Sequence, residues 1–146
     1  MAAMRVRAPI ALALVLVAAA AGAPEATAKG TKVKLAKSEY GKVLMNGRGL
    51  ALYLFDVETT KKPECDGDCA AAWPPLLTKG KPRAGVGLNP KLLGTTRRAD
   101  GSRQVTYKGH PLYLYEHDRP GVILCQDVFE FGGTWLLLNR RGNAVR

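Results

Sequence analysis

The chain has 146 residues and carries 22 Lys and Arg against 12 Asp and Glu, a formal charge of +10. That length accommodates one domain rather than several, and a basic surplus of this size favours anionic partners. With only two serines (Ser38, Ser102), two histidines and three cysteines, the chain is poorly supplied for a serine hydrolase or a many-ligand metal centre.

Arg5 and Arg7 precede the apolar run 10–21, which is too short to span a bilayer comfortably and leads to Ala26-Thr27-Ala28, a small-x-small cleavage signature. A secretory signal over residues 1–28 is expected, in preference to an uncleaved anchor. Cleavage nearer Gly22 is the alternative, although Pro24 disfavours a cut after Ala23. The other 118 residues hold 20 Lys and Arg and 11 Asp and Glu, formally +9, and no membrane-spanning segment is expected once the signal is removed. For an exported protein the matching anions are wall polymers or a membrane surface; no nucleic acid is expected. Scattered pairs such as Arg97-Arg98 and Arg140-Arg141 also read as ordinary solubilising charge.

Residues 29–39 form a basic lead-in in which Val33 and Leu35 alternate with lysines, a leader arm or a lysine-guarded edge strand. Runs 42–45 and 50–55 flank Asn46-Gly47-Arg48-Gly49, a hairpin signal. Leu52 and Leu54 point to one face of the second strand, and Ala51, Tyr53 and Phe55 to the other, so both faces are expected to be covered. A polar loop follows to Cys65-Asp66-Gly67-Asp68-Cys69. Residues 70–73 then allow one helical turn, which Pro74-Pro75 must stop. After a Gly/Pro/Lys connector over 79–87, Asn89-Pro90-Lys91-Leu92-Leu93-Gly94 carries a cap, an N-terminal proline and a glycine stop, a short helix. A second hairpin is predicted from 104–107, Lys108-Gly109 and 112–115, with Pro111 at a strand start or sheet edge. A last strand over 134–139 turns at Arg141-Gly142-Asn143.

The chain is an internal duplication. Sixty positions separate Gly41 from Gly101, Gly49 from Gly109, Leu52 from Leu112, Tyr53 from Tyr113, Leu54 from Leu114 and Cys65 from Cys125. Phe55/Tyr115, Asp56/Glu116 and Glu58/Asp118 are conservative pairs at the same spacing, and two extra residues align Trp73 with Trp135. The fold expected is all-β with minor short helices: two tandem homologous β repeats, about 40–78 and 100–139, packed as one sandwich or barrel-like domain over 40–146.

These motifs, Tyr53-x-Phe55-x-x-Glu58, Tyr113-x-Tyr115-x-x-Asp118, Cys65-x3-Cys69-x3-Trp73-Pro74-Pro75-Leu76 and the run from Gly101 to Tyr113, resemble the bacterial secreted repeat of unknown function. That family is also described as predicted lipoproteins with a Tyr-x-aromatic-x-x-Asp motif. The resemblance covers about residues 40–138 and implies an envelope location and tandem architecture without an activity. Glu58 stands where the first motif would have Asp, and the leader lacks the cysteine that a lipid anchor requires. The family's Cys-x3-Cys precedes Trp-Pro-Pro as a local unit, which implies a Cys65–Cys69 bridge independent of any third cysteine.

Read from the residues, Cys65 and Cys69 form a disulfide in an oxidising compartment, while the odd Cys125 is a buried small side chain, an intermolecular partner, or the mate of either. A Cys65, Cys69, Cys125 and His117 metal set has no familiar spacing. Asp56, Glu58, Glu64, Asp66 and Asp68 lack the EF-hand order. His117 lies between Glu116 and Asp118, which makes it a candidate proton donor or metal ligand, but its counterpart in the first copy is Val57, which favours a solvated loop. No catalytic motif appears and no cofactor is expected. The reading that follows is an exported, secreted or periplasmic, non-catalytic envelope module for anionic material. The alternative is a redox or metal-handling protein using the three cysteines and His117.

Overall fold

The structure is a computed structural model describing residues 28–146. The leader expected over 1–28 lies outside the described residues except for Ala28. Among the described residues, strand predominates over a single short α-helix and is arranged in three small sheets of three strands each, and no closed barrel forms.

Two hairpins stand at the start of the two copies. Strands β1 (Lys32–Ser38) and β2 (Gly41–Asn46) pair antiparallel from Val33↔Asn46 to Ser38↔Gly41. Strands β5 (Leu93–Arg97) and β6 (Arg103–Tyr107) pair from Leu93↔Tyr107 to Arg97↔Arg103. The basic lead-in is thus neither an arm nor an edge strand: β1 lies at the centre of its sheet, between β2 and the parallel β4 (Arg83–Ala84). Val33 is fully buried and Leu35 packs against the same core. The Val/Leu/Lys alternation is therefore that of a strand with one face inward.

After each hairpin the chain turns through a left-handed glycine, Gly49 at φ +87° and Gly109 at φ +78°, a conformation that costs glycine little. The first turn is the expected Asn46-Gly47-Arg48-Gly49, closed by the Gly49 amide on the Asn46 carbonyl at 3.1 Å and followed by the antiparallel bridge Met45↔Ala51, with Asn46 itself the last residue of β2. Its side-chain oxygen accepts from the amides of Arg48 and Leu50, each at 3.0 Å. The second is the two-residue turn Lys108-Gly109, which leads into β7 (His110–Pro111) at the edge of its sheet, where the missing proline donor is tolerated.

Strand β3 (Tyr53–Phe55) pairs with β9 (Gly133–Leu137), which pairs with β8 (Val128–Glu130). Helix α1 (Asp68–Ala72) ends where the Trp73 amide donates to the Cys69 carbonyl at 2.7 Å, just before Pro74-Pro75. The second helix shrinks to a 3₁₀ turn, Pro90–Leu92, because Leu93 leaves it to enter β5. Leu52, Leu54, Leu112, Leu136 and Leu138 face an aliphatic core with Val33, Leu44, Val105 and Tyr107. Tyr53, Phe55, Tyr113, Trp135 and Leu137 face a second core with Trp73 and the two bridged cysteines. The alternation of the Leu-Tyr-Leu-aromatic strands thus divides the interior in two.

Candidate functional site

The repeated motif residues meet at the boundary between the two copies, related by a pseudo-two-fold axis. Tyr53 and Tyr113 bridge antiparallel, each amide donating to the other's carbonyl at 2.9 Å. Outside them, Leu137 pairs with Tyr53 and Pro75 with Tyr113, and the Pro74 carbonyl accepts from the Leu114 amide at 2.8 Å. Trp73 and Trp135 stack at 4.1 Å and Phe55 stacks on Trp135 at 4.2 Å, while Tyr115 lies against Trp73 at 4.8 Å with its ring tilted by 41°. Tyr53 meets Trp73 edge-on and Tyr113 meets Trp135 likewise, both at 5.2 Å. Such stacked and T-shaped contacts each add stability beyond their buried area.

The motif acids close the same symmetry. The Tyr53 hydroxyl donates to Asp118 Oδ2, and the Tyr113 hydroxyl donates to Glu58 Oε1, both at 2.5 Å. Each acid therefore serves the tyrosine of the other copy. A loop amide six residues on also donates to each, Glu64 to Glu58 Oε1 at 2.7 Å and Leu124 to Asp118 Oδ1 at 2.9 Å. Burial pushes both carboxyls above their ordinary values, against the opposite pull of the tyrosine hydrogen bonds, and the Glu58 Oε2 atom has no partner. Burial first, and then the neighbouring acid, pushes both tyrosine hydroxyls up as well. These carboxylate–tyrosine pairs lie within the interior, so the groups with the most perturbed protonation hold the halves together.

Cys65 and Cys69 are joined in a disulfide that closes the loop before α1. Arg98, which the sequence suggested was surface charge, is buried across this loop. Its guanidinium donates to the Cys65 carbonyl at 2.6 Å, Asp66 Oδ1 at 2.7 Å and Gln104 Oε1 at 2.7 Å. Duplication gave no hint of it, since Ser38 occupies the equivalent place. Cys125 is a free, half-buried thiol against the aromatic core, and burial raises its pKa, the reverse of what a reactive thiolate requires.

His117 is exposed, with Nε2 at 3.5 Å from Glu116 Oε1, on the rim of an open cleft of about 450 Å³ that also includes Asp118 and Arg119. Its ring meets Tyr115 edge-on at 5.5 Å. Among the described residues no group of three or more His, Cys, Asp or Glu side chains is placed to hold a metal ion. Three acids of the first copy have partners within the chain: Asp56 accepts from the Thr134 amide at 2.8 Å, Asp66 pairs with Arg98, and Glu58 receives Tyr113. No helix among the described residues is long and apolar enough to cross a membrane.

A family model described as a secreted repeat of unknown function matches residues 34–77 and 94–138. The matches begin inside β1 and β5, about six residues before the copies expected from the sequence. Each holds one hairpin, one Tyr-x-aromatic-x-x-acid motif and one tryptophan. No curated protein and no solved structure matches the chain.

Proposed function

This chain belongs to the family of secreted repeats of unknown function, and from that premise we propose that it is a non-catalytic cell-envelope module binding anionic envelope material through its surplus of lysine and arginine. The leader over residues 1–28 would direct export and be removed. The observation that carries the reading is charge without compensation: among the described residues, Arg98 is the only Lys or Arg within ion-pair distance of a carboxylate. Unpaired surface cations attract polyanions at long range. The motif residues support a non-catalytic role, because the Tyr53 and Tyr113 hydroxyls and one oxygen each of Asp118 and Glu58 are spent on one another.

Binding of the mature protein to purified anionic wall polymer and to acidic lipid vesicles, measured against salt, tests this. Affinity should fall steeply as the screening length shrinks from roughly 10 Å to roughly 3 Å between 0.1 and 1 M salt. Salt-insensitive binding, or none to either material, would sink the proposal.

A further inference from the structure

We propose that the cleft between segment 29–31, segment 77–79 and the start of β6 is a binding site for the phosphate groups of an anionic envelope polymer. The inference rests on the reading above and assigns it a place. The cleft has a volume of about 440 Å³, and Lys29, Lys79 and Arg103 come to it from three separate segments, with Leu77 and two threonines between them and no acidic residue in its lining. Three cationic side chains around an exposed leucine suit a phosphate on an aliphatic backbone. Arg presents a planar fork to phosphate oxygens and Lys a point charge.

The walls are held by the backbone. The Thr31 amide donates to Thr78 Oγ1 at 3.0 Å, Thr31 Oγ1 donates to the Leu77 carbonyl at 2.7 Å, and Thr78 Oγ1 donates to the Gly80 carbonyl at 2.7 Å. A Cβ at Gly30 would stand 1.7 Å from the Lys81 carbonyl oxygen, and one at Gly80 would stand 3.0 Å from the Gly30 backbone nitrogen. The two segments thus touch main chain to main chain, and the cations sit on fixed supports. Because the hydroxyl protons are already committed to carbonyls, the ammonium and guanidinium groups would carry recognition.

Two further observations favour a repeating anion. Arg103 lies directly opposite Arg97 in the β5–β6 register, a like-charge pair; Arg103 Nη2 donates to Thr95 Oγ1 at 3.1 Å and Arg97 Nη1 to the Gly101 carbonyl at 3.3 Å, which leaves the other guanidinium donors of both for an anion. Arg103 also lines a neighbouring cleft of about 330 Å³ together with Lys81. Two basic clefts sharing one arginine match successive charges along a chain better than a single ion. Concave walls also suit a polymer strand better than a flat bilayer surface.

The experiment is amide NMR titration of the mature protein with poly(glycerol phosphate), repeated for K79Q/R103Q and for K61Q/K62Q, which removes the same charge from an exposed loop elsewhere. The largest shifts should fall on residues 30–31, 77–79 and 102–103. K79Q/R103Q should weaken binding about tenfold, as expected for losing a charge-assisted contact, while K61Q/K62Q stays close to wild type. Equal weakening in the two variants would overturn the site and leave the general anionic reading standing. Absence of wild-type binding would overturn both. Tighter binding to anionic vesicles than to the polymer would overturn the choice of partner.

Discussion

Trp73 of the first copy and Trp135 of the second lie face to face, ring centroids 4.1 Å apart and planes 4° from parallel. Each belongs to a segment that flanks the other copy's tyrosine strand, Pro75 beside Tyr113 and Leu137 beside Tyr53. Neither copy therefore contains the partner that covers its own aromatic face. A fragment spanning 29–95 would keep the β2–β1–β4 sheet but expose Tyr53, Phe55 and Trp73 together, because Tyr113, Trp135 and Leu137 of the second copy cover them in the whole chain. It is expected to give no cooperative thermal transition by circular dichroism. A sharp monomeric transition would contradict the shared core.

Removing a single hydroxyl tests the reciprocal acid–tyrosine pairs. Tyr113→Phe leaves Glu58, 3 % exposed, with only the Glu64 amide, and Tyr53→Phe leaves Asp118 with only the Leu124 amide. Each loss should cost about 1–3 kcal/mol in urea unfolding, the range for orphaning a buried acceptor. The two effects should be similar, as the pseudo-symmetry requires. A cost within error of zero at both positions would show that these bonds do not hold the halves together.

The same acids predict an unusual pH dependence. Burial raises the folded pKa of Glu58 and Asp118 above their ordinary values of 4.5 and 3.8, so the native state binds more protons than the unfolded chain in the window between the two. Where the native state holds the extra protons, unfolding free energy falls as pH rises. The contribution is complete below the ordinary carboxylate values and is lost as pH climbs through the raised ones. Chemical denaturation from neutral pH toward pH 5 should show this local gain, and Glu58→Gln, which removes the titrating group, should reduce it. An unchanged slope in Glu58→Gln would exclude Glu58 as its source.

The sequence displayed the duplication, the two-faced tyrosine strands and the proline stop after Trp73, because each is written in local spacing. It concealed the cross-copy partners. Nothing within Tyr53-x-Phe55-x-x-Glu58 says that the acid receives the other motif's tyrosine, since such pairing is decided by how the halves dock. Strand β5 was hidden by the Asn-Pro cap before it, although the offset of sixty carries β1 onto it: Leu35 falls on Thr95 and Lys37 on Arg97. Arg98 escaped notice because its counterpart is Ser38, and a burial present in one copy leaves no trace in a comparison of the two.

Arg98 and the Cys65–Cys69 bridge hold the same loop by different means, and their energies can be ranked. A disulfide spanning four positions closes a small loop, so the chain-entropy model gives about 2 kcal/mol. Arg98→Ala would leave the Cys65 carbonyl and Gln104 Oε1 without their donor; two orphaned acceptors at about 1–3 kcal/mol each, about 2–6 together, at least match the bridge and at mid-range are about twice it, even with nothing counted for the pairing to Asp66, whose side chain is 62 % exposed. The expected order of destabilisation is Arg98→Ala above the Cys65→Ser, Cys69→Ser double variant, with Cys125→Ser smallest, read from urea midpoints at constant m. Non-reducing peptide mapping should recover the Cys65 and Cys69 peptides cross-linked and Cys125 as a free thiol. A linked Cys125 peptide would overturn the assignment, and a double variant less stable than Arg98→Ala would show that the bridge, rather than the arginine, fixes the loop beneath Trp73.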